Sequence, residues 1–463
     1  MKPDVQADYG SASSSSRKEE QGELATNKGN SAILTAGLLI ADVVGAGVLA
    51  LGSAVAQLGW LYGTVSILLM MAMNAHIMIM VWKVHCRFPG AHSFKELVSQ
   101  TFAHALPERL ELAQELVVMG QYTYLFSLLA VYTLSIGQGL GMFFYDMHTC
   151  LPIMTLVGCC MLLPLNYSAR FLGSFAGSVG FNFACTAGTV LIPIVWMAAQ
   201  GAEVTRPEGS EFLAVASKVG FDSFVTSAST FAFAFSGQFI LVEIMSEMQD
   251  MREFPKAYFS YSLPFQAAAF LGVGLSVYYY RGDSASDMIV NEIPFGNAER
   301  YAAICLVGHM LITYVIKNVV LCRGLLKELQ KRAVIESGAS WSAWYCMVSA
   351  VVASSWFLAQ IVPFFDDLVN LLGATFTPVV AFMVPITLYL LCVQKQDFSV
   401  SRTEKFIIGL EITVSVVMLC YGAVSTMIKI LHKWDSYGYP FECHCQNLWR
   451  TCQCSPHRME CPA

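Results

Sequence analysis

Ala41-Asp-Val-Val-Gly-Ala-Gly-Val-Leu-Ala-Leu-Gly52 and Phe231-Ala-Phe-Ala-Phe-Ser-Gly-Gln238 each interrupt a long apolar segment with glycine. Gly45, Ala46 and Gly47 leave almost no bulk on three successive residues. Within a bilayer, unwound backbone is tolerated only inside protein or beside a polar cavity. The glycines therefore have two readings. They permit close helix packing, or they mark a break whose helix ends offer N–H groups to an anion and carbonyls to a cation. The second stretch lies five apolar segments after the first. A glycine-interrupted segment at the corresponding position of each half favours the break, and predicts two repeated halves around a midplane site.

The segments around these stretches are long enough to cross a bilayer, which takes about 20 helical residues. Eleven are expected, at 32–56, 60–82, 112–135, 149–165, 171–199, 222–243, 257–279, 301–322, 342–363, 367–392 and 406–430. The run from Phe171 to Gly201 has no charged residue, whereas the fourth segment is short and contains Pro152 and Pro164. Composition agrees: the 463 residues are 56% hydrophobic and 13% charged, with mean hydropathy +0.55. A soluble chain carries about 25% charged residues, so separate soluble domains are excluded. The net charge of −6 and the lack of a basic stripe argue against nucleic acid as a partner.

With the N-terminus on the cytoplasmic side, 18 Lys and Arg fall in inside segments and seven outside. This is the positive-inside bias, and an odd number of spans then places the C-terminus outside or in a lumen. Residues 1–31 are polar, include the run Ser11 to Ser16, and lack the apolar core of a secretory signal; they are expected to be a disordered cytoplasmic tail. Residues 32–430 form the membrane domain. Residues 431–463 form a tail with Cys443, Cys445, Cys452, Cys454 and Cys461, for which disulfides, zinc and free thiols all stay open. Asn166-Tyr-Ser168 matches a glycosylation acceptor but falls in a short cytoplasmic turn.

Gly45-Ala-Gly-Val-Leu-Ala-Leu51 with Ala56-Gln-Leu-Gly-Trp60 resembles the opening of the amino acid/auxin permease family, in particular its plant amino acid permease branch. Phe231 to Gln238, with Glu243 and Phe254-Pro-Lys-Ala257, is similar to that family's sixth span and following loop. Asn370-Leu-Leu-Gly-Ala374, Thr377-Pro378 and Pro385 resemble its tenth. The matches are spread over positions 32 to about 430. The resemblance implies an all-α polytopic protein of the five-plus-five inverted-repeat (leucine-transporter-like) fold, carrying amino acids by alternating access. It carries over Gly45, Ala46 and Gly47 as the first break and Phe235, Ser236 and Gly237 as the second, both at the substrate. Gln238 stands where related plant permeases often carry His, and Gly52 where many members carry Pro.

Ionisable groups at membrane depth are costly and point to function. Asp42, one turn before the first break, is the leading candidate to carry a proton or face a cation. His309, Thr313 and Glu243 are the further coupling candidates. His309 and Thr313 share a helix face with Lys317 a turn beyond; by the resemblance, that helix faces the first. Lys317 is expected to reach the inner interface. Tyr122, near Gly120, and Gln238 are candidate substrate contacts. No P-loop is present; no cofactor, no metal among the site residues and no enzymatic activity are expected. The expected function is secondary transport of amino acids coupled to H⁺, with Na⁺ coupling and a nutrient receptor of little flux as alternatives. The membrane is expected to be the plasma membrane or that of a vacuole or lysosome, and protein partners are not indicated.

Overall fold

The computed structural model describes residues 29–147, 149–170, 178–331, 341–362, 365–437 and 441. Helices carry the chain, and no strand forms among these residues. Among the described residues, nine helical segments are long and apolar enough to cross a membrane: Trp60–Arg87, Pro107–Phe143, Leu151–Ser168, Gly180–Gln200, Phe221–Ser246, Asn297–Lys331, Trp341–Ile361, Phe365–Gln394 and Arg402–His432. The protein is thus an integral, multi-pass membrane protein. Of the eleven expected segments, the first is divided into α1 (Ala32–Val43), α2 (Ala46–Leu49) and α3 (Leu51–Ala56). The seventh is a π turn at Ala257–Ser262 leading into a 19-residue helix, Leu263–Arg281. Neither is among the nine. The N-terminal tail up to residue 28, the five tail cysteines at 443–461 and the start of the fifth segment, residues 171–177, lie outside the described residues.

Local chemistry sets the helix starts. Ser31, Ser93 and Ser401 accept a hydrogen bond from the backbone N–H of Leu34, Glu96 and Glu404, a serine N-cap in each case. Gly59, at φ +86°, turns the chain from α3 into α4 (Trp60–Arg87). A side chain there would be strained and would strike the backbone of residues 214–216. Exposed Leu69, Val195 and Phe406 are ordinary side chains for a lipid-facing surface.

Further helices are α5 (Phe94–Ala105), α6 (Leu110–Phe143), α7 (Leu151–Ser168), α8 (Val179–Gln200), α9 (Phe221–Phe235), α10 (Leu241–Ser246), α11 (Leu263–Arg281), α12 (Asn297–Lys331) and α13 (Trp341–Ile361). The tenth segment is α14 (Phe365–Phe376), a π turn at Thr377–Met383 and α15 (Val384–Gln394); α16 (Arg402–Val417) opens the eleventh.

The first four segments run antiparallel to the sixth to ninth, each against the one five places on. Asn30, at the start of the first segment, pairs through its backbone with Glu247 and Gln249 at the end of the sixth, at 2.7 and 3.0 Å. At the other end, Trp60 N–H and Leu61 N–H donate to Leu213 and Ala214, which precede α9. Along α4 and the seventh segment, Ile67 lies by Gly274, and Asn74 donates to the Tyr258 hydroxyl at 3.2 Å. Along α6 and α12, Tyr122 meets Gly324 whereas Gly139 meets Val307. Along α7 and α13, Trp344 donates to the Asn166 carbonyl and Gln360 to Thr155.

Candidate functional site

The two glycine-interrupted segments open where their sequences lose bulk, and the openings face each other. α1 stops at Val43, with Val44 N–H bonded back to Ile40. Gly45 is non-helical, at φ −115° and ψ −139°. α9 stops at Phe235, where the Ser236 hydroxyl folds back on the Phe233 carbonyl at 2.7 Å. The chain resumes through a 3₁₀ turn, Gln238–Ile240, into α10.

A cavity of about 20 Å³ lies between the breaks. The first break contributes Asp42, Gly45, Ala46 and Gly47; α9 and its end contribute Phe233, Ala234 and Ser236. Leu128 and Tyr132 of α6 and Lys317 of α12 close it. This volume suits a single water, which needs about 10–15 Å³. Even the smallest amino acid is several times larger, so the helices must part to admit one. A larger hollow of about 430 Å³ opens on α8 beside Leu191, Val195 and Trp196, but its apolar wall offers nothing to orient a charged ligand.

Asp42 and Lys317 form an ion pair across the cavity, Nζ donating to Oδ1. Both side chains are buried, and the ammonium also sits 4.8 Å from the centre of the Phe239 ring. This corrects the expectation that Lys317 reaches the interface. The other Asp42 oxygen, Oδ2, has no hydrogen-bond partner. It faces Gly237, where a Cβ would come within 3.3 Å of it. Asp42 therefore joins α12 through one oxygen and presents the other to the second break.

The remaining sequence candidates divide. His309 Nδ1 lies 2.8 Å from Thr186 Oγ1 and 2.8 Å from Asn182 Oδ1 of α8. A proton on Nδ1 satisfies the Asn182 oxygen and leaves Nε2, which has no partner, on the side of Gly45, whose Cβ would be 3.9 Å away. Thr313 donates to the His309 carbonyl at 3.0 Å and does not line the cavity. Glu243 lies in α10, beyond the second break, accepting from Phe94 N–H of α5 at 3.1 Å. Phe235 packs edge-on to Phe270 of α11. Gln238 turns toward α4, donating to Asn74 and accepting from Gly237 N–H at 3.0 Å. It braces the second break, and Asn74 in turn is held by Tyr258.

Tyr122 lies against Gly324 of α12. Its neighbour Tyr124 holds the more central position: its hydroxyl contacts Ser236 at 2.7 Å and Thr377 at 2.9 Å. It thereby ties α6 to the second break and to the π turn of the tenth segment. Tyr132 and Asn74 were not legible as site residues, and Tyr124 could not be preferred over Tyr122, because the sequence does not reveal which face of α6 or α4 turns inward. Lys317 carried a signal in its spacing from Thr313 and His309, but not its partner.

Gly47 is both a lining residue and a packing residue. A Cβ there would stand 2.7 Å from Ala234 Cβ and 3.0 Å from Ala234 N. The breaks are thus held together by the close approach of two nearly bare backbones. The model of a family described as transmembrane amino acid transporter protein matches residues 28–429. No curated protein matches the chain.

Proposed function

Since the chain belongs to the transmembrane amino acid transporter family, we propose that it is a secondary active transporter that binds its amino acid between the two breaks and couples its movement to protons. The observation that carries this reading is the pair of antiparallel interrupted helices whose breaks enclose Asp42 and Lys317. The antiparallel pairing of the first four segments with the sixth to ninth supports the five-plus-five inverted repeat, with the eleventh segment as an addition. Gly45, Ala46 and Gly47 would present backbone donors to the substrate carboxylate. Asp42 Oδ2, unpartnered and turned to the second break, is the acceptor for the substrate ammonium or for the coupled proton.

The near-closed cavity fits alternating access: each half-cycle must open the breaks to one side, and closure leaves room for no more than a single water beside the pair. The wider membrane organisation is eleven spans with a cytoplasmic N-terminus, in a plasma, vacuolar or lysosomal membrane.

The test is accumulation of labelled amino acids in proteoliposomes under an inward pH gradient, compared with an inward sodium gradient at constant pH. Proton coupling predicts accumulation in the first. Asp42→Asn, which keeps volume but cannot release a proton, should lose pH-driven accumulation and retain substrate exchange. Accumulation that follows sodium and ignores the pH gradient rejects the coupling; binding without flux under either gradient favours a receptor.

A further inference from the structure

Among the described residues nine cysteines are free thiols, whereas Cys150, the N-cap of α7, is disulfide-bonded. It is also buried, which disfavours a bond to a second molecule. The chain has 15 cysteines, so the partners left to it are Cys443, Cys445, Cys452, Cys454 and Cys461 of the tail. The described residues lead from the eleventh segment toward Cys150. Ser425 and Lys429 bond the Asp222 carboxylate at the start of α9, Lys429 at 2.7 Å. Further on, the Phe441 ring lies on α13, centred 5.6 Å from Trp356 and 5.5 Å from Phe357. The Trp356 indole in turn donates to the Pro152 carbonyl at 3.4 Å and the Thr155 hydroxyl at 3.1 Å, at the start of α7. Phe441 has φ +70°, a backbone conformation that a bulky residue keeps only where its surroundings hold it. Cys443 follows two residues later, a length of chain that covers at most about 7 Å. The Cα atoms of a disulfide stand at a similar separation.

We propose that a disulfide from Cys150 to the tail, with Cys443 the first cysteine in reach, straps the chain across one end of the helix bundle, from the start of α9 to α7 and α13. The bond forms by thiol–disulfide exchange. Two S–H bonds break as the S–S bond forms, and a disulfide-bearing oxidoreductase takes the two electrons and two protons and leaves as a dithiol. Such bonds persist in oxidising compartments and are rare in the cytosol. The pairing therefore puts the start of α7 and the tail outside the cell or in a lumen, in keeping with an odd number of spans from a cytoplasmic N-terminus. It also takes one of the five tail thiols and leaves an even set able to pair among themselves. The strap joins the segment that carries the second break to two helices that carry none. Any movement that parts them at this end works against a covalent tie. The pairing does not depend on the substrate or the coupling proposed above.

The experiment blocks free thiols of the purified full-length protein with N-ethylmaleimide in denaturant and maps its tryptic peptides before and after reduction. Trypsin leaves Cys150 in the peptide 110–170 and Cys443 in 434–450. The two should travel joined, with Cys159 and Cys160 carrying the label, and separate on reduction. A joint to a peptide holding Cys452, Cys454 or Cys461 supports the strap with a later anchor. A labelled Cys150, or a bond from it to a second molecule seen as a reductant-sensitive dimer, overturns the proposal. The second readout is melting. Reductant should lower the wild-type melting temperature by several degrees and leave Cys150→Ser, which starts lower, unmoved, because a cross-link stabilises by limiting the unfolded chain. No shift in wild type, or an equal shift in both proteins, rejects the strap. If Cys150→Ser does not fold, the wild-type peptide map still decides the pairing.

Discussion

Replacing Gly47 by alanine adds one methyl group where α2 touches α9, and the structure states what that group meets. Its carbon would lie 2.7 Å from Ala234 Cβ and 3.0 Å from Ala234 N. The Ala234 atoms belong to backbone or sit on it, so no side chain can rotate away and the two segments must separate. Overpacking of this kind costs about 1–3 kcal/mol. If substrate is held only while the breaks are together, the closed population falls roughly 5- to 150-fold. Gly45 is the control. A Cβ there finds Asp42 O at 3.4 Å and His309 Nε2 at 3.9 Å, which is ordinary contact, so Gly45→Ala should cost less than Gly47→Ala. The assay is melting of the detergent-purified proteins alongside equilibrium binding of labelled amino acids, with membrane insertion checked by surface or vesicle yield. Gly47→Ala should insert, melt several degrees lower and bind weakly. Wild-type melting and affinity in Gly47→Ala, or equal damage in Gly45→Ala, would refute the close-approach argument.

Tyr124→Phe removes the hydroxyl shared by Ser236 and Thr377. It should cost about 1–2 kcal/mol, read as a lower melting temperature and weaker amino acid binding, whereas Tyr122→Phe should leave binding nearer wild type. In the loop between α15 and α16, burial pushes the Asp397 carboxyl up, but the hydrogen bonds and charges of Arg87 and His104 outweigh it and hold the carboxyl below its ordinary value. A carboxylate depressed in the folded state stabilises above its ordinary pKa of about 3.9 and loses that contribution as pH falls through the depressed value. The melting difference between wild type and Asp397→Asn should therefore persist into mild acid and shrink as pH falls below about 3.9. For topology, an epitope at the N-terminus should be cytosolic and one after Ala463 should lie on the other side; both ends on one side would reject the eleven-span count.

The sequence by itself determined the class and the breaks, because both depend on local chemistry. Apolar length against bilayer thickness marks spans residue by residue, and glycine clusters mark where helices end. The structure put those ends at Val43 and Phe235, within the two stretches where bulk is missing. Which side chains surround the breaks was decided only in three dimensions. Tyr122 and Tyr124 differ by two positions, or more than half a turn of helix, so one can reach the site only if the other turns away. In a soluble protein, hydrophobic patterning would tell the faces apart. In a membrane, lipid and protein interior are both apolar, and that signal vanishes. Lys317 carries the same lesson further. Its ammonium was expected at the interface and is bonded to a carboxylate 275 residues away. Only the packing of α12 against the first break brings together two charges that neither could leave unpaired in so dry a place.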